Sequence, residues 1–200
     1  MRRQRPWKIV LTSAWLFMLM AASARDRQRT PDLSLTITDI GGRAHTPFRL
    51  GNDKAAVLFF ILRDCPVSNR FAPEIARLVR DYERKSLRFY LVHVDAEATA
   101  EQIAAHAREY KLPRAPLLHD RKQQLVAAVG ATVTPEVAVI GKDGAIVYRG
   151  RINNLYEAPG KPRRVVTAHD LRNALDAVLQ NRAVPLARTT AIGCYIPGQN

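Results

Sequence analysis

The sequence lacks internal repeats and low-complexity segments, and its 200 residues are enough for one domain with a sizeable core. It has no nucleic-acid motif and no basic stripe interleaved with aromatic residues, so nucleic acid is not expected as a partner. Acidic residues are few, 18 against 31 lysines and arginines, which gives a formal net charge of +13. We interpret this charge as a solvated surface; the alternative is peripheral contact with anionic surfaces or an acidic partner protein.

The N-terminal apolar run, residues 9–20, is shorter than the roughly 20 residues that span a bilayer. It follows a basic segment and precedes small residues at 22–24, a pattern typical of a secretory signal peptide. We therefore predict a signal peptide over residues 1–24, cleaved after Ala24, and a periplasmic or secreted protein. Cleavage removes four basic and no acidic residues, which leaves a formal charge of +9. The alternative is an uncleaved N-terminal anchor.

Cysteines are scarce, because the chain has only Cys65 and Cys194, which can form a disulfide in an oxidising compartment. Cys65 comes shortly after the apolar run 55–62, which is typical of a strand buried on both faces, and Pro66 opens a helical pattern that continues to Tyr82. Free N–H groups and the helix dipole at such a position lower the pKa of a cysteine. We predict a reactive thiol at Cys65; the alternative is an ordinary buried small hydrophobe.

Charged residues flank this cysteine on both sides. Arg63 and Arg70 would lower the pKa of the thiol further, whereas Asp64 would raise it. The sequence does not decide which of these effects is larger.

The remaining pattern predicts a mixed sheet with helices on both faces. We expect a hairpin within residues 33–50, a second buried strand over 87–94 and a further hairpin over 137–148. Residues 151–166 are predicted to be a loop, and the chain from 182 to 200 has no periodicity. Three helices are expected to begin at pairs with capping-box spacing, which are Thr99 with Gln102, Asp120 with Gln123, and Thr167 with Asp170.

The histidines show no close Cys/His ligand spacing, so neither a metal nor another cofactor is expected. Copper bound by Cys65 with a histidine is the alternative. The five histidines are His45, His93, His106, His119 and His169.

Three motifs resemble those of the thioredoxin fold in its periplasmic redoxin form. They are the CPVS sequence at 65–68 in place of the C-x-x-C motif, Pro73 in the helix that follows, and Thr134-Pro135 before a strand and a KDG turn. The DCPVSNRFAPEI, GRINN and GCYIP segments look like bacterial redoxin-domain proteins of the alkyl hydroperoxide reductase/thiol-specific antioxidant group.

The resemblance extends over residues 33–181. It implies an α/β three-layer sandwich with a mixed central sheet, an N-terminal hairpin and a cis-proline loop that faces Cys65. We expect a redoxin domain over 25–181, followed by a C-terminal tail over 182–200 that carries Cys194.

The sequence departs from the thioredoxin pattern at several positions. Ser68 replaces the second cysteine, so the motif cannot close its own disulfide. Asp64 replaces the usual tryptophan, and Phe59 and Phe60 stand where thioredoxins keep a buried acid.

Peroxiredoxin features are also missing. Leu62 stands in the place of the peroxide-activating threonine, Leu58 in that of an upstream proline, and Pro135 in that of the catalytic arginine. Donors that would polarise a peroxide bond are therefore not visible.

The main hypothesis is thiol–disulfide exchange with Cys65 as nucleophile, facing Thr134 and Pro135, with the Ser68 hydroxyl bonded to the thiolate. Cys194, 129 residues downstream, would resolve the mixed disulfide by moving its tail onto Cys65. The expected partners are protein thiols or disulfides, or a periplasmic redox protein. One alternative is reduction of peroxides through a sulfenic acid at Cys65. Another is a non-catalytic adaptor that holds a redox or haem partner.

Overall fold

The computed structural model describes residues 32–198. The predicted signal peptide, its cleavage site and the anchor alternative lie outside the described residues. Residues 32–198 form four helices: α1 (Pro66–Tyr82), α2 (Ala100–Glu109), α3 (Gln124–Val129) and α4 (Asp170–Leu179). The strands are β1 (Ile37–Thr38), β2 (Ala44–His45), β3 (Ala55–Ile61), β4 (Leu87–His93), β5 (Leu117–His119), β6 (Val133–Thr134), β7 (Glu136–Ile140), β8 (Ile146–Gly150), β9 (Tyr156–Ala158), β10 (Lys161–Pro162) and β11 (Cys194–Tyr195).

A five-stranded mixed sheet forms the centre of the molecule, in the order β5-β4-β3-β7-β8. Strands β3, β4 and β5 run parallel, whereas β7 and β8 are antiparallel to their neighbours. All seven residues of β3 are buried, because strands flank it on both sides and its two faces lie in two hydrophobic clusters. The prediction of an α/β sandwich with a mixed sheet is confirmed.

The two faces of the sheet bury different apolar sets, as strand alternation requires. One face packs against α1 and α4, and the other packs against α3 and the N-terminal segment. The first face includes Phe59, Ile61, Phe71, Ile75, Leu91, Leu171 and Leu175. The second includes Ile37, Leu58, Phe60, Tyr90, Val92, Leu125 and Val126. Within residues 32–198, no helix is long and apolar enough to cross a membrane.

The N-terminal hairpin is shorter than predicted. Strand β1 pairs with β2 around the expected glycine turn, but β2 is at Ala44–His45 rather than near Phe48 and Leu50. Those two residues instead bury their side chains in the core. Strand β5 was not predicted, because its three residues lack an apolar run of their own and pair with β4 in the folded sheet.

Two of the three predicted capping boxes are wrong. Thr99 and Gln102 form the predicted box. Helix α3 begins only at Gln124, where the Asp120 carboxylate accepts from backbone N–H groups without a reciprocal box. Helix α4 begins after His169, and Thr167 instead bonds to Asn154.

The region predicted as a loop after β8 contains a second small hairpin, because β9 pairs with β10. The C-terminal segment without periodicity also pairs with the domain. Arg149 in β8 exchanges backbone hydrogen bonds with Ala187 and Thr189, at 2.9 and 3.1 Å, so this segment extends the exposed edge of the sheet. Further on, β11 pairs antiparallel with β6.

Candidate functional site

Cys65 occupies the N-cap position of α1, directly after the turn that follows the central strand β3. Pro66 is the first helical residue, where its missing N–H costs no hydrogen bond. The Ser68 backbone N–H donates to Cys65 Sγ at 3.4 Å. The Cys65 side chain is fully buried. The helix therefore directs a free N–H donor at a sulfur that solvent does not reach.

The loop between β6 and β7 lies opposite this sulfur. The Cys65 thiol donates to the Thr134 carbonyl oxygen at 3.1 Å. The peptide bond between Thr134 and Pro135 is cis. The cis-proline loop that the resemblance implied is thus present and faces Cys65.

Cys194 lies next to the same loop, because its strand β11 pairs with β6. In the register of β11 with β6, Cys194 is directly opposite Thr134. Two residues further on, the Ile196 N–H donates to the Thr132 carbonyl oxygen at 3.0 Å. The Ile196 side chain is buried in the core. Both cysteines are free thiols, and interaction with the Cys194 side chain lowers the pKa of the Cys65 thiol. No swing of the tail is needed to bring them together.

Gly193 explains how the tail comes so close. A Cβ atom built on Gly193 would collide with the Thr134 carbonyl group. Only a residue without a side chain lets the backbone pass there, so Gly193 sets the position of Cys194 over Cys65.

The two thiols have opposite pKa shifts. Burial opposes ionisation of Cys65, but interactions with the Cys194 and Thr134 side chains and the hydrogen bond from the Ser68 amide outweigh it, so the pKa of Cys65 is lowered. Burial, followed by the neighbouring Cys65 sulfur, raises the pKa of Cys194 to about 11. Of the two thiols, Cys65 is therefore the one that ionises more readily.

The flanking residues contribute less than the sequence suggested. Arg63 pairs with Asp64 at 3.1 Å, and neither is among the main causes of the Cys65 pKa shift. Arg70 lies on the exposed surface of α1. The Ser68 hydroxyl is buried and lies near the sulfur, but only the Ser68 amide has the geometry of a hydrogen bond to it.

A buried histidine pair supports the turn before Cys65, and the sequence did not reveal it. His106 bonds to Asn69 at 2.8 Å, and Asn69 donates to the Arg63 carbonyl oxygen at 2.9 Å. The His93 ring lies edge-on to His106, with centroids 5.2 Å apart. The Arg63 N–H donates to Asp95 at 3.0 Å. Helices α1 and α2 thus fix the turn from both sides. In the sequence, the only indication of this pair was a histidine, His93, at the end of a buried strand.

The other charged residues near the loop are paired. Glu136 bonds to Arg149 at 3.1 Å and accepts from the Thr132 N–H, while Arg151 pairs with Asp170 at 2.7 Å. Among residues 32–198, no three His, Cys, Asp or Glu side chains gather as metal ligands would.

The family model described as AhpC/TSA family matches residues 27–149, which is more than half of the chain. The chain belongs to the AhpC/TSA family. No curated protein matches this AhpC/TSA member.

Two solved structures are similar to this chain over most of their length. A hypothetical protein from Sinorhizobium meliloti 1021 is 28% identical with a TM-score of 0.69, covering 81% of this chain and 89% of its own. An uncharacterized conserved protein from Geobacillus kaustophilus is 29% identical with a TM-score of 0.69, covering 83% and 90%.

A secreted disulfide oxidoreductase from Mycobacterium tuberculosis, homologous to E. coli DsbE, is 17% identical with a TM-score of 0.52 and covers 74% and 96%. At that identity the likeness concerns the fold alone. It confirms the thioredoxin-like architecture of this AhpC/TSA member.

Proposed function

We propose that this protein is an exported thiol–disulfide oxidoreductase whose redox pair is Cys65 with Cys194. One observation carries the proposal: β11 pairs with β6 so that Cys194 is directly opposite Thr134, the residue whose carbonyl oxygen accepts from the Cys65 thiol at the N-terminus of α1. Cys65 and Cys194 are thus both brought to Thr134, and a disulfide between them requires such proximity. The missing second cysteine of the CPVS motif is then supplied from the tail.

The chemistry follows from the unequal thiols. Exchange with an oxidising disulfide, which takes up two electrons and two protons, joins the two sulfurs, and attack by a partner thiolate reopens the bond. The lowered pKa of Cys65 makes its thiolate a good leaving group in that second step. The Ser68 backbone N–H donates to the released Cys65 thiolate.

The first test is the state of the two cysteines. Mild oxidation of the purified protein should give a Cys65–Cys194 disulfide, which peptide mapping under non-reducing conditions detects. The oxidised protein should then oxidise a dithiol peptide stoichiometrically. Two free thiols after oxidation would contradict the proposed pair.

The Cys65→Ser and Cys194→Ser variants separate this function from its rivals. Both should lose the exchange activity. Turnover of hydrogen peroxide that depends on Cys65 would instead support a thiol peroxidase. The buried Cys65 thiol is the one feature of the described site that favours this alternative. A partner that binds equally well to Cys65→Ser would support an adaptor.

Export is part of the proposal and rests on the N-terminal sequence. Expression of the full chain in a bacterium, followed by fractionation and N-terminal sequencing, should give a protein outside the cytoplasm that begins at Arg25. Retention in the cytoplasm would contradict it.

A further inference from the structure

The two sulfurs differ in how a partner can reach them. Cys65 is fully buried beneath the cis-proline loop and the tail, whereas Cys194 is partly exposed. Cys194 also lines a groove of about 450 Å³ between the start of α1, the β9–β10 hairpin and the tail, and Cys65 does not. The residues that line this groove include Val67, Tyr156, Pro159, Pro162 and Ile192.

We propose that the partner attacks Cys194 rather than Cys65, and that the groove beside Cys194 receives the dithiol segment of a partner protein. This inference rests on the proposed redox pair and adds the site and direction of exchange. In a thioredoxin-like motif the cysteine at the helix N-terminus is the expected site of the mixed disulfide. Here the mixed disulfide with the partner would instead form at Cys194.

The exchange balances in two steps. A partner thiolate attacks Cys194 Sγ, the Cys194–Cys65 bond breaks, and Cys65 leaves as a thiolate. The partner's second thiolate then attacks the partner's first sulfur, which is bonded to Cys194 in the mixed disulfide. This releases Cys194 as a thiolate, which takes up a proton. The partner is oxidised to a disulfide by two electrons, and the protein pair is reduced.

Chemistry and access favour the same sulfur. In an attack on a disulfide, the thiol of lower pKa leaves faster, and here that thiol is Cys65. A stabilised thiolate in the reduced protein also makes the disulfide an oxidant, since it favours the reduced form. The proposed direction, from partner dithiol to protein disulfide, is the one in which the accessible Cys194 is attacked and the buried Cys65 leaves.

Charge adds a preference for the partner. Arg70 is the one charged residue among the described residues that line the groove. A carboxylate next to the partner's cysteine would meet it, and the groove holds no acid to oppose that contact.

The test uses a probe peptide with a single cysteine preceded by aspartate. The oxidised full-chain protein is mixed with excess peptide, the reaction is quenched with acid, and the peptide adduct is mapped. We expect at least ten times more adduct on Cys194 than on Cys65. An equal or larger amount on Cys65 would overturn the inference but leave the redox pair intact, whereas absence of the Cys65–Cys194 disulfide before mixing would overturn both.

The groove itself is tested by charge reversal. Arg70→Glu should slow the reaction of the probe peptide about fivefold or more, and Arg80→Glu, also on the exposed surface of α1 but outside the groove, should not. Equal rates in both variants would reject the groove as the docking site.

Discussion

At the scale of single residues, the properties of Cys65 arise from partners that are far away in sequence. Its position at the start of α1 was predictable from the apolar run and Pro66. Its interactions with Cys194 and Thr134 involve segments 129 and 69 residues downstream. Helix position alone therefore predicted the direction of the Cys65 pKa shift, but the donors responsible required the folded chain.

Position 68 tests how much the tail cysteine is needed. The Ser68 backbone N–H already lies 3.4 Å from the Cys65 sulfur, so a sulfur introduced at position 68 should be able to reach Cys65. We expect Ser68→Cys to form a bond between positions 65 and 68 on oxidation, in competition with Cys194. Peptide mapping of the oxidised variant measures the two products, and Ser68→Ala is the control that should keep only the Cys194 bond. A variant that still forms only the tail disulfide would contradict this expectation.

His106 should make the free energy of unfolding decrease as the pH is lowered. Burial, followed by the charge of His93, lowers the pKa of His106 to about 4. Unfolded histidine titrates near 6.5, so between pH 6.5 and pH 4 the unfolded chain binds a proton that the native protein does not. The free energy of unfolding should therefore fall by roughly 1–2 kcal/mol from pH 7 to pH 5.

Urea unfolding at a series of pH values measures this effect. His106→Gln should flatten the dependence, although His93, whose pKa burial also lowers, will leave part of it. Replacing the exposed His169 by glutamine should leave the curve as in the wild type. A steep dependence that persists in His106→Gln would show that other groups are responsible.

At the scale of elements, the long segments were predicted and the short ones were not. Strands β3 and β4 and helix α1 have apolar patterns that follow from their own sequence. Strands of two or three residues have too few residues for a pattern, and their pairing comes from the rest of the fold. The tail shows this most clearly, because nothing within 182–200 predicts that β11 pairs with β6.

Gly193 should control whether the tail covers Cys65. A methyl group at position 193 would collide with the Thr134 carbonyl group, so the tail must move away from the loop. In a Cys194→Ser background, where Cys65 is the remaining thiol, we expect Gly193→Ala to raise the rate of alkylation by iodoacetamide at least tenfold.

Gly41→Ala in the same background is the matched control, since Gly41 lies in the N-terminal hairpin and a Cβ atom there meets only the end of the Asp39 side chain. Its alkylation rate should not change. An equally slow reaction in Gly193→Ala would mean that the tail does not limit access to Cys65.

At the scale of the whole molecule, the pair joins the start of α1 to the end of the chain. Closing a loop of 129 residues should stabilise the protein by about 4–5 kcal/mol on the chain-entropy argument. The reduced native state is also stabilised, because its Cys65 thiolate has donors that the unfolded chain lacks. The two effects oppose each other, so we expect oxidation to raise the free energy of unfolding by less than the loop estimate.

Guanidinium unfolding of the oxidised and reduced protein measures the difference. In Cys194→Ser the two conditions should give the same midpoint, which separates the disulfide from any effect of the reductant. A midpoint for the oxidised wild type at or below that of the reduced protein would mean that the bond strains the native fold. The gain in free energy of unfolding is expected to be smaller than the loop estimate for the same reason that the pair is proposed to be oxidising. A stabilised Cys65 thiolate is a good leaving group, and it also stabilises the reduced native state against which the disulfide form is compared.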